Sequence, residues 1–303
     1  MNESVLVAGQ LFNGISVASI LLLAALGLAL SFGLMRVINM AHGEMLMMGG
    51  YLTYVCTLLF GKSTGFLIGM VVAFFGAAAF GALMESTLIR KLYGRPLDTL
   101  LATWGVSLIL QQAARSIFGP IGVEVTAPPW LAGSIAIGGT ALTGLSIPLV
   151  RVFIIVVAAI VLGGVTLLIM RTRLGMLVRA VHQDRGMADA LGADTRWVDL
   201  CVFSLGTGIA GLAGATLTLI APVTPTVGQG YIVYAFLVVI LGGLGSLAGT
   251  LAAAVIVGLF SATAQIVTSQ SFSDVLLLVF VIIFIQFRPR GIASSRSRAL
   301  DEA

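Results

Sequence analysis

Between two long apolar runs, Asn39-Met40-Ala41-His42-Gly43-Glu44 places an amide, an imidazole and a carboxylate within six residues. The flanks, Val37-Ile38 and Met45 to Met48, are apolar enough to enter a bilayer. An ionised side chain there costs roughly 2.5–3.5 kcal/mol, so an intramembrane acid points to a transport path or a proton relay. A plainer chemistry explains the same residues: Asn39 caps a helix, and Glu44 suits the positive end of that helix. Arg36 precedes the stretch, which favours a cap and a polar lining near the inner mouth. Substrate contact at His42 or Glu44 requires a broken helix that carries the stretch deeper.

Other polar groups stand in apolar surroundings. Gln111 and Gln112 interrupt the fourth run, and Trp104 lies seven residues before Gln111, about two turns along one helix face. Buried amides need partners, so these glutamines bridge helices or line a wet path. A late interruption, Pro222 to Tyr231, contains Gln229 and Tyr231. Paired interruptions in the two halves of a chain point to a substrate site. The candidate pathway residues are therefore Asn39, His42, Glu44, Trp104, Gln111, Gln112, Gln229 and Tyr231.

Two motifs fail on context. Gly206-Thr207-Gly208-Ile209-Ala210-Gly211 matches the dinucleotide fingerprint, but its flanks are membrane-apolar, no strand precedes it, and Gly214 continues the spacing. Gly61-Lys62-Ser63 resembles the end of a phosphate loop, but Cys56 stands where its first glycine belongs. Any ATP that drives this protein is bound elsewhere. His42 and His182 are far apart, no serine or cysteine has a base at a diagnostic spacing, and no metal-ligand cluster is visible. An enzyme reading is therefore poor, and Cys56 and Cys201, alone in apolar runs, read as core residues.

The elements that must position these groups are membrane helices. Of 303 residues, 59% are apolar and only 9% charged, and the mean hydropathy is +1.11. A soluble domain carries about 25% charged residues. Met1 to Gln10 has no basic segment, so an uncleaved first helix is expected rather than a signal peptide. Apolar runs cover 7–35, 37–60, 65–84, 100–118, 149–170 and 200–221, and 231–287 divides into two or three more. The fold class is all-α and polytopic, about 8–9 transmembrane helices with some broken or re-entrant, in a single domain over 1–303. Thirteen of the sixteen Lys and Arg residues fall at Arg36, in 85–99, in 171–199 or from Arg288 onward. That asymmetry places the N-terminus outside and the C-terminus inside. The net charge of +4 reflects this placement and not a nucleic-acid partner.

The most polar segment, 171–199, is longer than most helix–helix links and should carry its own structure. Leu174, Leu177, Val178 and Val181 have the spacing of a short amphipathic helix, and Asp184 to Ala190 suggests a second, stopped at Gly192. A small helix with Met, Leu and Ala on a cytoplasmic face suits a docking partner. A solvated loop is the bland alternative.

Taken together, "VINMAHGEMLMMGGYLTY", "LYGRPLDTLLATWGVSLILQQ", "RTRLGMLVRAVHQDRGMADALGADT", "GQGYIVYAFLVVILGGLGSLAGT" and "FIQFRPRGI" resemble the branched-chain amino acid ABC permease family. Within it they look most similar to the urea-transport (UrtB-type) branch, although Tyr234 stands where many urea-type members have an acid. The resemblance implies a half-permease in the bacterial inner membrane. Its implied partners are a second related permease, two cytoplasmic ABC ATPases carrying ATP and Mg, and an extracytoplasmic substrate-binding protein. This chain itself would bind no cofactor. Residues 171–199 would be the coupling segment, with Arg173, Arg179, Asp184, Arg185, Ala188 and Gly192 at the ATPase. Urea, neutral and rich in N–H donors, asks for acceptors such as Glu44, Asn39 or a glutamine oxygen. A zwitterionic amino acid asks for a fixed cation and anion, or helix ends that do the same work. The apolar runs hold no midplane Lys or Arg pair, so urea is the leading expectation. A branched-chain amino acid or amide importer is the alternative, followed by a stand-alone channel or carrier gated at His42 and Glu44.

Overall fold

The structure, a computed structural model, describes residues 3–35, 37–137 and 145–293. Arg36 and the last basic residues, Arg296 and Arg298, on which part of the orientation argument rests, lie outside the described residues. The helices are α1 (Glu3–Met35), α2 (His42–Phe60), α3 (Lys62–Thr87), α4 (Pro96–Phe118), α5 (Leu149–Arg171), α6 (Arg173–Gln183), α7 (Arg185–Ala190), α8 (Thr195–Leu217), α9 (Val227–Gly242), α10 (Leu247–Val267) and α11 (Gln270–Phe287). Among the described residues, seven are long and apolar enough to cross a membrane: α1, α2, α3, α5, α8, α10 and α11. The helix α4 has the length, but Thr, Ser, Gln and charged residues dilute its hydropathy. At 16 residues, α9 spans about 24 Å, short of a hydrocarbon core of about 30 Å.

Local chemistry sets the ends. Pro96 opens α4 at a position where a missing N–H costs nothing. Thr172, Asp184, Asp194 and Ser246 cap α6, α7, α8 and α10, each accepting a backbone N–H. Gly61, with φ of 81°, makes the tight turn from α2 into α3, so the apparent phosphate-loop ending is a helix junction. One departure from an all-helical chain occurs in the Gly/Pro-rich link after α4. There β1 (Ser134–Ile137) pairs antiparallel with β2 (Leu145–Pro148), Ser134 opposite Pro148 and Ile137 opposite Leu145. In both segments apolar residues alternate with small or polar ones, a two-residue period that the abundance of glycine and proline masks. Trp130, which precedes β1, meets Phe153 of α5 edge-on with ring centroids 5.5 Å apart.

The spine of the bundle is α8, which packs on α1, α2 and α3. Membrane helices gain little from excluding lipid, so close approach and dispersion decide their packing. A Cβ added at Gly206 would sit 2.6 Å from the Gly27 carbonyl oxygen of α1. At Gly211 it would sit 2.3 Å from Ala73 O of α3, and at Gly214, 1.8 Å from Leu46 O of α2. The GxGxxG pattern is therefore a three-sided packing surface, as its context suggests. The middle of α1 is enclosed on all sides, with Leu23, Leu26 and Leu28 fully buried. By contrast α5 and α11 turn Ile160, Leu167, Ile282 and Phe287 outward.

A side chain at Gly211 must push α3 and α8 apart. Gly211→Val should lower stability by about 3 kcal/mol, the upper range for overpacking. Gly163 of α5 faces open space, so Gly163→Ala should be neutral or slightly stabilising. Thermal unfolding of the two purified variants in detergent checks the contrast.

Candidate functional site

The polar stretch Asn39–Glu44 does not lie in a helix that begins at Val37. Residues 37–41 run non-helically, and α2 starts at His42. Asn39 turns the chain locally: its Oδ1 accepts from Ala41 N at 3.0 Å, two residues on, and no side chain caps α2. The Met40 N–H donates to Thr103 Oγ1 of α4 at 3.1 Å. Irregular backbone at membrane depth survives only where protein satisfies it, and here Asn39 and α4 do so. The depth follows from His42, whose Nε2 lies 3.0 Å from Ala24 O of α1. A carbonyl only accepts, so the ring proton is assigned to Nε2. Ala24 is 11 residues before the end of α1 at Met35, about 16 Å along the helix axis. It lies near the middle of the apolar segment Ala8–Gly33. His42 thus stands level with the middle of α1, because the chain climbs back into the bundle before α2 begins.

Glu44, in the first turn of α2, is 1% exposed. Its Oε1 accepts from Ser107 Oγ at 2.9 Å and from Gln111 Nε2 at 2.8 Å, and Gln111 also donates to Ser107 at 3.0 Å. Its Oε2 has no hydrogen-bond partner. The first turn of α9 arrives at the same place: a Cβ on Gly228 would lie 2.5 Å from the Gly43 carbonyl and 2.8 Å from Glu44 Oε2. Two helix N-termini, each equivalent to about half a positive charge, thus converge on one buried carboxylate. Farther along α2, Tyr51 stacks on Phe118 of α4 at 4.2 Å and joins Met47, Ala114 and Val223 in a small apolar cluster. Buried polar atoms without partners concentrate here: Asn39 Nδ2, His42 Nδ1, Glu44 Oε2 and Tyr51 OH.

The buried face of α4 explains its odd composition. Its buried residues are Thr99, Thr103, Ser107, Gln111 and Ala114, nearly every fourth position and mostly hydroxyl or amide. Leu97, Leu101, Leu108, Ile109 and Ile117 face outward. Thus α4 meets the bundle through a polar strip and shows its apolar side to the surroundings. Trp104 is 48% exposed, and Gln112 and Gln229 are exposed as well. The fold separates these three from Glu44, and the shared face read for Trp104 and Gln111 does not bring them together. Tyr231 is half-buried in α9, and Tyr234, one turn on, lies beside Asp274 of α11. Thr99, Thr103, Ser107, Tyr51 and Gly228 escaped the sequence reading, although a four-residue polar spacing in α4 was available as a signal.

A second set of groups lies at the end of the bundle that carries α6 and α7. Gly175 anchors α6, since a Cβ there would lie 2.2 Å from Ile169 O of α5. Arg179 also donates to that carbonyl. Gly192, at φ 87°, ends the segment, with Ala193 N bonded to Ala188 O. Arg173, Arg179, Asp184, Arg185 and Gly192 are exposed, whereas Ala188 is buried. Arg185 pairs with the buried Asp199 of α8 at 2.5 Å and lies 5.0 Å over the Tyr93 ring. Burial, followed by the Asp199 charge, pushes the Tyr93 phenol above its ordinary pKa. Nearby, Arg90 grips the buried Glu85 at 3.0 Å, and that bond raises the Arg90 pKa. A cleft of about 840 Å³ runs between Arg90, Tyr93, Arg185 and Asp194. A second, of about 350 Å³, is lined by Met35, Val37, Tyr93 and Thr99 and reaches the near end of the α4 strip. No group of three or more His, Cys, Asp or Glu side chains could hold a metal among the described residues.

Residues 10–285 match the family model for the permease component of the branched-chain amino acid transport system. The chain is 31% identical to the high-affinity branched-chain amino acid transport system permease protein BraD of Pseudomonas aeruginosa, over 93% of this chain and 94% of that one. It is 29% identical, over the same shares, to the LivH permease protein of the corresponding system in Escherichia coli K12. A probable LivH permease protein of Methanocaldococcus jannaschii is 25% identical over 91% and 89%. No solved structure matches. With polar strips inside a bundle of membrane helices and a match over nearly its whole length, the chain belongs to the branched-chain amino acid transport permease family, as a multi-span helical protein of the bacterial inner membrane.

Proposed function

We propose that this chain is the membrane-spanning half of an ATP-driven importer for amino acids with aliphatic side chains. The observation that carries the reading is Glu44, a buried carboxylate with one open oxygen at the meeting point of two helix N-termini. A zwitterion needs a fixed anion and a fixed positive end, and helix ends supply the second without Lys or Arg. The names of the relatives agree with that chemistry. Urea, which the sequence resemblance put first, is the second reading, because Glu44 and Asn39 also offer acceptors for its N–H groups.

In this reading α4 and α9 cross with the seven longer helices, which makes nine passes, N-terminus outside and C-terminus inside. The path follows the α4 strip from the cleft at Val37 and Thr99 to Glu44. A second permease would complete the path beside the outward residues Trp104, Gln112 and Gln229. A binding protein outside delivers substrate, and two ATPases bind ATP and Mg. The chain is a transport subunit and not an enzyme, with no cofactor of its own. The ATPases engage α6 and α7, whose exposed Met176, Met187 and Leu191 offer an apolar grip. Arg185 then carries their movement to α8 through Asp199 and to the start of α4 through Tyr93.

In proteoliposomes holding the complete complex, leucine-loaded binding protein should stimulate ATP hydrolysis and leucine uptake, and urea should do neither. The opposite pattern would overturn the amino-acid reading. Arg185→Ala leaves Asp199 buried without its cation, a loss of about 3 kcal/mol, and should lower leucine delivered per ATP several-fold. A Cβ at Gly192 meets open space, so Gly192→Ala carries only about 1–2 kcal/mol of left-handed backbone strain. Its uptake per ATP should stay nearer the parent.

A further inference from the structure

The carboxylate of Glu44 is half satisfied. Ser107 and Gln111 both donate to Oε1, leaving Oε2 with no donor at 1% exposure. Glu44 enters no ion pair among the described residues, where the acid–base pairs are Arg90–Glu85, Arg95–Asp98 and Arg185–Asp199. Helix ends offset charge but give Oε2 no N–H of its own. A buried lone pair without a donor costs on the order of a lost hydrogen bond, so its retention calls for a visiting donor. Gly228 keeps the approach open, since a Cβ there would sit 2.8 Å from Oε2. On the side of α2 toward Tyr51, the cluster of Met47, Ala114 and Val223 is apolar.

Resting on the importer reading above, we propose that Glu44 Oε2 is the ammonium acceptor of a cargo site inside this chain, completed by the first turn of α9 and the Met47–Ala114–Val223 wall. An ammonium brings three N–H donors and a full positive charge, and charge-assisted bonds are about twice as strong as neutral ones. The cargo carboxylate lies at the positive end of α9, beside Gly228, and its aliphatic chain lies along the wall. The site is closed in this structure, and the α4 strip, held by hydroxyl and amide groups, is the side that opens. The permease then selects for a primary ammonium independently of the binding protein.

Ligand-induced thermal shifts of the purified complex, without binding protein, test this directly. Leucine and 3-methylbutylamine, which keep the ammonium, should stabilise the complex at millimolar concentration, and 4-methylpentanoate, which lacks it, should not. Glu44→Gln should weaken leucine about tenfold or more, the scale of one charge-assisted bond, and Glu44→Asp should regain part of the loss. Stabilisation by 4-methylpentanoate equal to that by leucine overturns the proposal, as does unchanged leucine binding in Glu44→Gln. Absence of leucine binding to a complex that accumulates leucine overturns it too. The ligand comparison on the parent complex decides the matter even where Glu44→Gln fails to assemble. Failure of the parent complex to accumulate any amino acid would instead remove the importer reading itself.

Discussion

The hydrogen bonds from Ser107 and Gln111 to Glu44 organise the interior of this bundle. A carboxylate and five residues of irregular backbone stand near the middle of an apolar helix, where water cannot satisfy them. The chain meets that requirement with α4, whose buried face is hydroxyl and amide from Thr99 to Gln111. That choice lowers the hydropathy of α4 and leaves its leucines and isoleucines facing outward. It also explains the small residues at the crossing: Gly43 and Gly228 let two helix starts come into contact beside the carboxylate. The polar interior and the glycine pattern are two consequences of one placement.

Rigidity and movement are divided between helices by the same physics. Around α8 the glycines bring backbones to contact, so α1, α2, α3 and α8 form a body held by dispersion over long surfaces. In a bilayer such packing has no lubricating layer and resists sliding. The seam between α2 and α4 is different. It rests on a few directional bonds, which water can replace, and on the small apolar cluster around Tyr51 and Phe118. At one end of this seam, Val37, Thr99 and Tyr93 line a cleft, and Arg185 stacks on the same tyrosine. The segment proposed to meet an ATPase is thus within one side chain of the helix that covers Glu44.

The two substrate readings differ in what supplies the positive charge. From composition, the lack of a lysine or arginine pair in the membrane argued for a neutral cargo. In the fold, α2 and α9 both begin inside the bundle and point their positive ends at one acid. In the proposed amino-acid reading, helix ends stand in for the missing cation. Their contribution is invisible in a count of charged side chains, because it depends on where two helices start.

Much was legible in the sequence by itself. Apolar runs and the paucity of charge determined a helical membrane protein. The spacing of Leu174, Leu177, Val178 and Val181 marked out α6, and Asp184 to Ala190 with the stop at Gly192 marked out α7, because such signals act within a few residues. The glycine pattern at 206–214 was correctly a packing surface, since its flanks admit nothing else. Only tertiary structure decided that residues 37–41 climb back to the level of Ala24, that Gln111 reaches Glu44 while Gln112 faces away, and that Gly228 adjoins Gly43. These are meetings between residues 18 to 185 positions apart, and no local propensity encodes them. They arise when buried polar groups must find partners and helices must approach at glycines, and both conditions are set by the assembled bundle.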